Sequence, residues 1–168
     1  MSHVLLLDTN VWSHLKLSDE PKRLAVQAGL DALLKKYPGA ARATSGICVA
    51  ECLVAARRIT DLTQRSAAEE AFRAEFASPQ LMVVEVTRNL LDKAASLRAE
   101  ALRRAAAAGG PAAGADGGKL KLPDAVIAAS CLDFDPPAIL VTENDLDFRY
   151  EENGQSKTVA GLIVERVG

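Results

Sequence analysis

The sequence VLLLDTN, residues 4–10, places a short apolar run directly before three polar residues. A continuous apolar run of this length, bounded by polar residues, is typical of a buried strand. Because both faces of such a strand are apolar, we expect it in a parallel sheet that helices cover on each side. Asp8 would then lie at the carboxyl end of the strand, which is where ligands bind in sheets of this kind.

Predicted helices and strands alternate along the rest of the chain. Helical spacing of apolar residues predicts helices over residues 21–36, 49–59, 66–76, 88–108 and 124–132. Apolar runs predict strands over residues 81–84 and 138–141 and a candidate fourth strand over 162–164, whereas residues 43–47 are too short a run to assign. This alternation predicts an α/β fold with a mainly parallel sheet, in a single domain over residues 1–168. We expect the Gly- and Ala-rich residues 109–118 to form a flexible loop within it.

The composition narrows the classes of function. Apolar residues make up 49% of the 168 residues and charged residues 25%, which are ordinary values for a globular protein with a hydrophobic core. The net charge of −2 argues against a protein that holds nucleic acid by bulk positive charge. Any contact with nucleic acid would therefore depend on local basic groups or on metal ions.

The three cysteines, Cys48, Cys52 and Cys131, do not form a zinc-binding pattern, because the two histidines are poorly spaced to complete four ligands. We expect them to be buried, reduced thiols. The apolar run at residues 4–7 is too short for the core of a signal peptide, and no stretch approaches the length of a membrane span. The sequence thus predicts a cytoplasmic protein that does not bind membranes.

Acidic residues occur at three places where chemistry is expected. Asp8 ends the first strand, where a carboxylate needs hydrogen bonds, an ion partner or a metal, and where capping of a following turn or helix is the alternative. Asp124 lies in the first turn of its helix, where capping alone would also account for it. Glu51 has apolar neighbours, and by itself its context favours the solvated face of a helix. Glu143, Asn144 and Asp145 follow the strand at 138–141, so they should share an edge of the sheet with Asp8.

Carboxylates grouped at such an edge are typical ligands of Mg²⁺ and Mn²⁺, because these cations prefer oxygen. A bound cation of this kind can activate water and stabilise charge on a phosphate. Catalytic Ser–His and Cys–His arrangements are excluded, since His3 and His14 have no matching partners in the sequence. Phosphate-binding patterns of glycines are also absent.

Four motifs resemble those of the PIN domain family, in the family's order and at its spacing. They are VLLLDTN at residues 4–10, VAE at 49–51, LPDAVIAA at 122–129 and ILVTENDLDF at 139–148. Within the family, the chain is most similar to the VapC-type toxins of bacterial toxin–antitoxin pairs. The resemblance implies a three-layer α/β/α sandwich and Mg²⁺- or Mn²⁺-dependent endoribonuclease activity on RNA. It also implies neutralisation by a small cognate antitoxin, within a homodimer or a toxin–antitoxin hetero-oligomer.

The resemblance also assigns roles residue by residue. The first three acidic positions, catalytic and metal-binding, fall on Asp8, Glu51 and Asp124. The fourth falls on Asn144 or Asp145, of which Asp145 could also be catalytic. Asp147 matches an aspartate of the closing motif that we expect to be structural. The groups that would support the ligands belong to Thr9, Asn10 and Thr142.

Two lysines just before Asp124 are candidates for contact with RNA. We expect Lys119 and Lys121 to bind the phosphate backbone, although a solvated surface is the simpler explanation for either one alone. Two other functions stay open at this point: a catalytically weak PIN-like module that binds RNA or protein, and a DNA-directed nuclease of related fold.

Overall fold

A five-stranded parallel sheet forms the centre of the structure, a computed structural model that describes residues 3–107, 120–152 and 155–168. Within these ranges the strands are β1 (Val4–Leu7), β2 (Ala41–Ser45), β3 (Leu81–Val84), β4 (Ile139–Thr142), β5 (Arg149–Glu152), β6 (Gln155–Thr158) and β7 (Val164–Arg166). The large sheet has the order β3-β2-β1-β4-β7, while β5 and β6 form a separate antiparallel hairpin. Neighbouring strands of the large sheet are parallel throughout, as the apolar run at its centre predicts.

Helices cover both faces of this sheet, which confirms the predicted three-layer α/β/α fold. Within the described ranges they are α1 (Thr9–Leu17), α2 (Glu20–Lys36), α3 (Gly46–Arg57), α4 (Leu62–Phe76), α5 (Arg88–Ala107) and α6 (Leu122–Cys131), with 3₁₀ turns at Asp145–Phe148 and Val159–Gly161. Helix α1 packs on α2, α3 on α4 and α5 on α6. None of the helices in the described part of the chain is long and apolar enough to cross a membrane.

The centre of the sheet is the most deeply buried part of the molecule. Leu5, Leu6 and Leu7 of β1 are inaccessible to solvent, and all four residues of β4 are buried. These two strands are neighbours in register, with Leu7 opposite Val141. Their carboxyl ends, which carry the acidic motifs, therefore meet at one edge of the sheet.

Besides the hairpin of β5 and β6, which the sequence analysis also did not predict, α1 and β2 were missed because their residues lack a long apolar pattern. Thr9–Leu17 forms a full helix, where the sequence indicated only a cap for a turn or helix. Ala41–Ser45 forms β2, although only its second half, Ala43–Ser45, is buried. Both elements are set by tertiary contacts, since α1 buries Val11 and Trp12 and β2 completes the sheet beside β1.

The prediction for the last strand is wrong by two residues. The strand runs over Val164–Arg166 instead of residues 162–164, because Leu162 follows a 3₁₀ turn and is buried outside the sheet. Ala160 within that turn has a φ of 51°, which breaks any extended run through it. The predicted loop at residues 109–118 and the end of the helix at residue 108 lie outside the described residues.

A buried hydrogen-bond relay joins α1 to the two strands beneath it. The indole Nε1–H of Trp12 donates to Thr44 Oγ1 over 3.0 Å, and the Thr44 hydroxyl donates to the Leu7 carbonyl oxygen over 3.1 Å. Trp12 is 1% exposed and Thr44 is fully buried, so water cannot replace either partner. The relay holds α1 over the end of β1, directly beside Asp8.

Thr44→Val is expected to destabilise the protein, because it keeps the shape of the side chain but leaves the Trp12 N–H buried without an acceptor. The expected loss is about 1–3 kcal/mol in the free energy of unfolding, measured by urea denaturation. Thr60→Val, at an exposed position between α3 and α4, is the control and should change stability little. The double variant Trp12→Phe/Thr44→Val should lose less unfolding free energy than the sum of the losses of the two single variants, because both changes remove the same hydrogen bond. A loss equal to that sum would contradict the relay.

Candidate active site

Asp8 lies where β1 and β4 end, and the structure gives its carboxylate a donor on each oxygen. The Thr142 hydroxyl donates to Asp8 Oδ2 over 2.7 Å, and the Thr9 N–H donates to Oδ1 over 2.6 Å. The second bond makes Asp8 the N-cap of α1. Asp8 therefore both caps α1 and belongs to the acidic site, two roles that the sequence left as alternatives. The residue is only 4% exposed.

Glu51 reaches the same region from α3. Its Oε2 accepts a hydrogen bond of 2.5 Å from the Thr9 hydroxyl, and its side chain is half-buried. The negative charge of Glu51 is one of the causes that raise the pKa of Asp8. Glu51 therefore faces the acidic site, in contrast to the solvated face that its local sequence favours, because α3 packs against α1 on that side.

Asp124 joins the group from the first turn of α6. Its Oδ2 accepts the backbone N–H of Lys121 over 3.3 Å, so it caps its helix as the sequence predicts. The same carboxylate is half-buried and within the electrostatic influence of Asp147 and Asp8. Residues from β1, α3 and α6 thus converge on one place.

The segment after β4 contributes Asp147 to this place. Burial is the largest cause that raises the pKa of Asp8 and of Asp124, and the charge of Asp147 acts in the same direction on both. Asp145, in contrast, accepts a hydrogen bond of 2.6 Å from Arg149 Nε and forms an ion pair with it. The geometry therefore favours Asp147 over Asp145 as the fourth acidic residue, although the sequence motifs indicated a structural role for Asp147. All of these ligand roles stay predictions.

Asn144 supports Asp147 in that arrangement. Its side-chain Nδ2–H donates to Asp147 Oδ2 over 2.6 Å, and its backbone N–H donates to Thr142 Oγ1 over 3.1 Å. Asn144 and Asp147 are three residues apart, and side chains at this spacing lie above one another in a 3₁₀ helix. This spacing is the signal in the sequence that could have indicated their contact.

The other predicted residues lie at the margin of the site or outside the described part of the chain. Asn10 is half-buried in the first turn of α1. Lys121 is exposed at the start of α6, where a role in phosphate binding stays a prediction, and Lys119 lies outside the described residues. Glu143 is turned away from the acids, towards His14 and Lys22, which the sequence did not indicate.

Burial raises the pKa of Asp8 and of Asp124 to about 6, and the charges of the neighbouring acids add to the effect. For Asp8 the hydrogen bonds from Thr142 and Thr9 oppose the rise. A cation between these carboxylates would offset their repulsion, and their oxygen atoms are the ligands that Mg²⁺ and Mn²⁺ prefer.

Among the residues that the structure describes, no group of three or more His, Cys, Asp or Glu side chains could hold a metal by itself. Mg²⁺ does not need such a group, because it is usually held by one or two carboxylates together with water and substrate phosphates. The oxygen ligands of Asp8 and Asp124 therefore fit a divalent cation of this kind.

Comparison with known proteins agrees with the motifs. Residues 5–150 match the family model of the PIN domain, which is most of the chain. No curated protein matches the sequence.

Many solved structures have a similar fold, and three of them serve as examples. VapBC2 from Rickettsia felis, bound to a promoter DNA fragment, is 17% identical over 98% of this chain and 99% of that chain, with a TM-score of 0.61. FitAcB from Neisseria gonorrhoeae is 19% identical over 96% of each chain, with a TM-score of 0.63. VapC20 from Mycobacterium tuberculosis, described as a Sarcin-Ricin loop cleaving toxin, is 16% identical over 81% of this chain and 86% of that chain, with a TM-score of 0.55. At these identities the comparison establishes a shared fold.

Asp124→Asn is expected to stabilise the metal-free protein at neutral pH. The pKa of Asp124 is raised from 3.8 to about 6 in the folded state, so the folded protein loses stability as pH rises through this interval and the carboxyl ionises. The asparagine cannot ionise and escapes that loss. In EDTA at pH 7.5 we expect its Tm to exceed that of the wild type by about 2–6 °C, with the difference closing near pH 4.

Asp145→Asn is the matched control, since it removes a carboxylate that is paired with Arg149. It should not gain stability at pH 7.5. A lower Tm for Asp124→Asn than for the wild type across the whole pH range would contradict the repulsion inferred at this site.

Proposed function

The chain belongs to the PIN domain family, and on that premise we propose that it is a divalent-metal-dependent endoribonuclease and the toxin of a type II toxin–antitoxin pair. The observation that carries the proposal is the pair of Asp8, at the end of β1, and Asp124, in the first turn of α6, two carboxylates with raised pKa that act on each other electrostatically. Groups of this kind are rare unless they serve a site. The similarity of the fold to that of toxin–antitoxin proteins supports the same function.

In this proposal Asp8 and Asp124 hold the cation, which is Mg²⁺ or Mn²⁺. A bound cation would supply charge stabilisation at the scissile phosphate and lower the pKa of the attacking water. Asp147 is the fourth acidic residue, because its charge acts on both Asp8 and Asp124, whereas Asp145 is occupied by Arg149.

The neighbouring polar groups orient these carboxylates. The Thr142 hydroxyl fixes one oxygen of Asp8 and leaves the other on the N-terminus of α1. The Thr9 hydroxyl holds Glu51, which would accept a proton from the attacking water. The side-chain amide of Asn144 holds Asp147 in the same way. Each acid is thus oriented before substrate arrives, which is what positioning of a phosphodiester for in-line attack requires.

Two further parts of the proposal concern partner and compartment. A small cognate antitoxin would neutralise the protein, in a homodimer or a hetero-oligomer, and the similar structures of toxin–antitoxin complexes support this. The free thiols of Cys48, Cys52 and Cys131, all buried, support a reducing compartment, so we propose the cytoplasm.

Asp147→Asn should lower the rate of RNA cleavage by roughly 10- to 100-fold, because it removes a charge from the acidic site while keeping a side chain of similar shape. The matched variant Asp145→Asn should cleave at a rate close to that of the wild type. The measurement is single-turnover cleavage of a labelled looped RNA with Mg²⁺ or Mn²⁺, with EDTA and Asp8→Asn as inactive controls. A reversed ranking of the two variants would return the fourth position to Asp145.

The same assay separates the other functions. A chain that binds the RNA without cutting it in either metal is a binding module and not a nuclease. Equal or faster cleavage of single-stranded DNA of the same sequence would indicate a DNA-directed nuclease.

Induction of the wild-type chain in a bacterial host should arrest growth, because cleavage of cellular RNA stops protein synthesis. Coexpression with the product of a small neighbouring gene should restore growth, and that product should copurify with the chain. Asp8→Asn is the control, expected to be harmless and still to copurify with the partner. Growth arrest that is equal for the wild type and Asp8→Asn would exclude a catalytic toxin.

A further inference from the structure

Glu143 directly follows Thr142 but faces away from the acids. Its Oε2 lies 2.6 Å from His14 Nε2 of α1, and its Oε1 lies 3.0 Å from Lys22 Nζ of α2. The carboxylate side chain is only 13% exposed. Gly168 covers it on another side so closely that a Cβ on that residue would lie 2.7 Å from Oε1.

His14 is itself held in place, because its Nδ1 lies 2.6 Å from the hydroxyl of Ser18 at the end of α1. Glu143 therefore has one partner at the end of α1 and the other near the start of α2. These contacts connect the helical layer to the chain segment that leaves β4.

That segment also leads to Asp147, the acid that acts on Asp8 and Asp124. Immediately after Glu143, the Asn144 N–H donates to Thr142 Oγ1, the same hydroxyl that donates to Asp8. The Asn144 side chain then holds Asp147. Because Glu143 lies in the chain between Thr142 and Asn144, fixing its side chain also constrains the backbone that carries Asn144 and, through it, Asp147.

We propose that Glu143 is a positioning residue of the active site, whose contacts with His14 and Lys22 hold the turn that presents Asn144 and Asp147 to the metal-binding carboxylates. This proposal rests on the proposed function, because it assumes that a divalent cation binds there. Glu143 would touch neither the cation nor the RNA.

Glu165 provides a matched control within the same protein. It lies on β7, next to β4 in the sheet, and its side chain is 20% exposed. Its carboxylate also has two partners, which lie at the end of α2: Lys36 Nζ at 2.5 Å and Tyr37 OH at 2.6 Å. In the described part of the chain, its carboxylate pairs with these two groups and not with a residue of the turn after β4. A purely structural role would make the two glutamates equivalent.

The experiment measures the Kd of Mn²⁺ by titration calorimetry, together with Tm, for the wild type, Glu143→Ala and Glu165→Ala. We expect Glu143→Ala to weaken Mn²⁺ binding roughly 10-fold, as loss of an outer supporting group does at metal sites. Glu165→Ala should lower Tm by a similar amount but leave the Kd within about twofold of the wild type. Glu143→Gln, which retains one side-chain oxygen as an acceptor for one of the two partners, keeps the test usable if the alanine variant folds poorly, and its Kd should lie between those two.

The variant Lys22→Ala distinguishes two effects on Mn²⁺ affinity: the positioning of the turn by Glu143 and the overall charge near the site. Removing a positive charge near the site would by itself strengthen Mn²⁺ binding, whereas removing a partner of Glu143 should weaken it by roughly two- to threefold. His14→Ala should weaken it as well. With RNA as substrate and saturating Mn²⁺, the Glu143 variants should lose kcat and keep their KM.

Unchanged Mn²⁺ affinity in Glu143→Ala, with a loss of Tm like that of Glu165→Ala, would overturn the proposal and leave the proposed function intact. Tighter Mn²⁺ binding by Lys22→Ala would also overturn it, since charge alone would then explain the Glu143 variant. A wild-type chain that binds no Mn²⁺ and cleaves no RNA would overturn the proposed function together with this inference.

Discussion

A carboxylate that is almost completely buried at the end of an apolar strand is costly unless hydrogen bonds satisfy it, and Asp8 is such a carboxylate. The chain meets this requirement in two ways. It begins a helix at the next residue, whose first amide donates to one oxygen, and it aligns β4 beside β1 so that the Thr142 hydroxyl reaches the other. The parallel pairing of β1 with β4 and the position of α1 thus each supply one of the two donors that this side chain needs. The Trp12–Thr44 relay then fixes α1 in that position from its other side.

The same solution recurs around the site on a smaller scale. A short polar side chain close in space accompanies each of three acids: Thr142 for Asp8, Thr9 for Glu51 and Asn144 for Asp147. These donors fix the direction of each carboxylate without neutralising its charge. The negative potential that would attract a cation is therefore kept. Because the carboxylates are already oriented, binding would cost less side-chain conformational entropy.

Much of this arrangement could be predicted from local sequence. The apolar run at residues 4–7 indicates a buried parallel strand, and Asp8 and Asp124 could be assigned to the edge of a sheet because strand ends and helix starts leave local patterns. Glu51 could not be assigned from its neighbours, because the residue that makes it part of the site, Thr9, is 42 positions away. The fourth acidic residue stays a prediction; the pairing of Asp145 with Arg149, one helical turn further on, favours Asp147. β2 was missed because a strand with few large apolar residues depends on its neighbours in the sheet, which a local pattern does not contain.

The separation of 134 residues between Asp8 and the hydroxyl that orients it has a consequence during synthesis. The ribosome releases the first strand before β4, and the turn that carries Asp147 emerges only after the residues between them have been made. Until then Asp8 has neither its neighbouring strand nor its Thr142 donor, and the acids that repel one another are not yet together. A nascent chain is therefore without an assembled acidic site until β4 and the turn that follows it have left the ribosome.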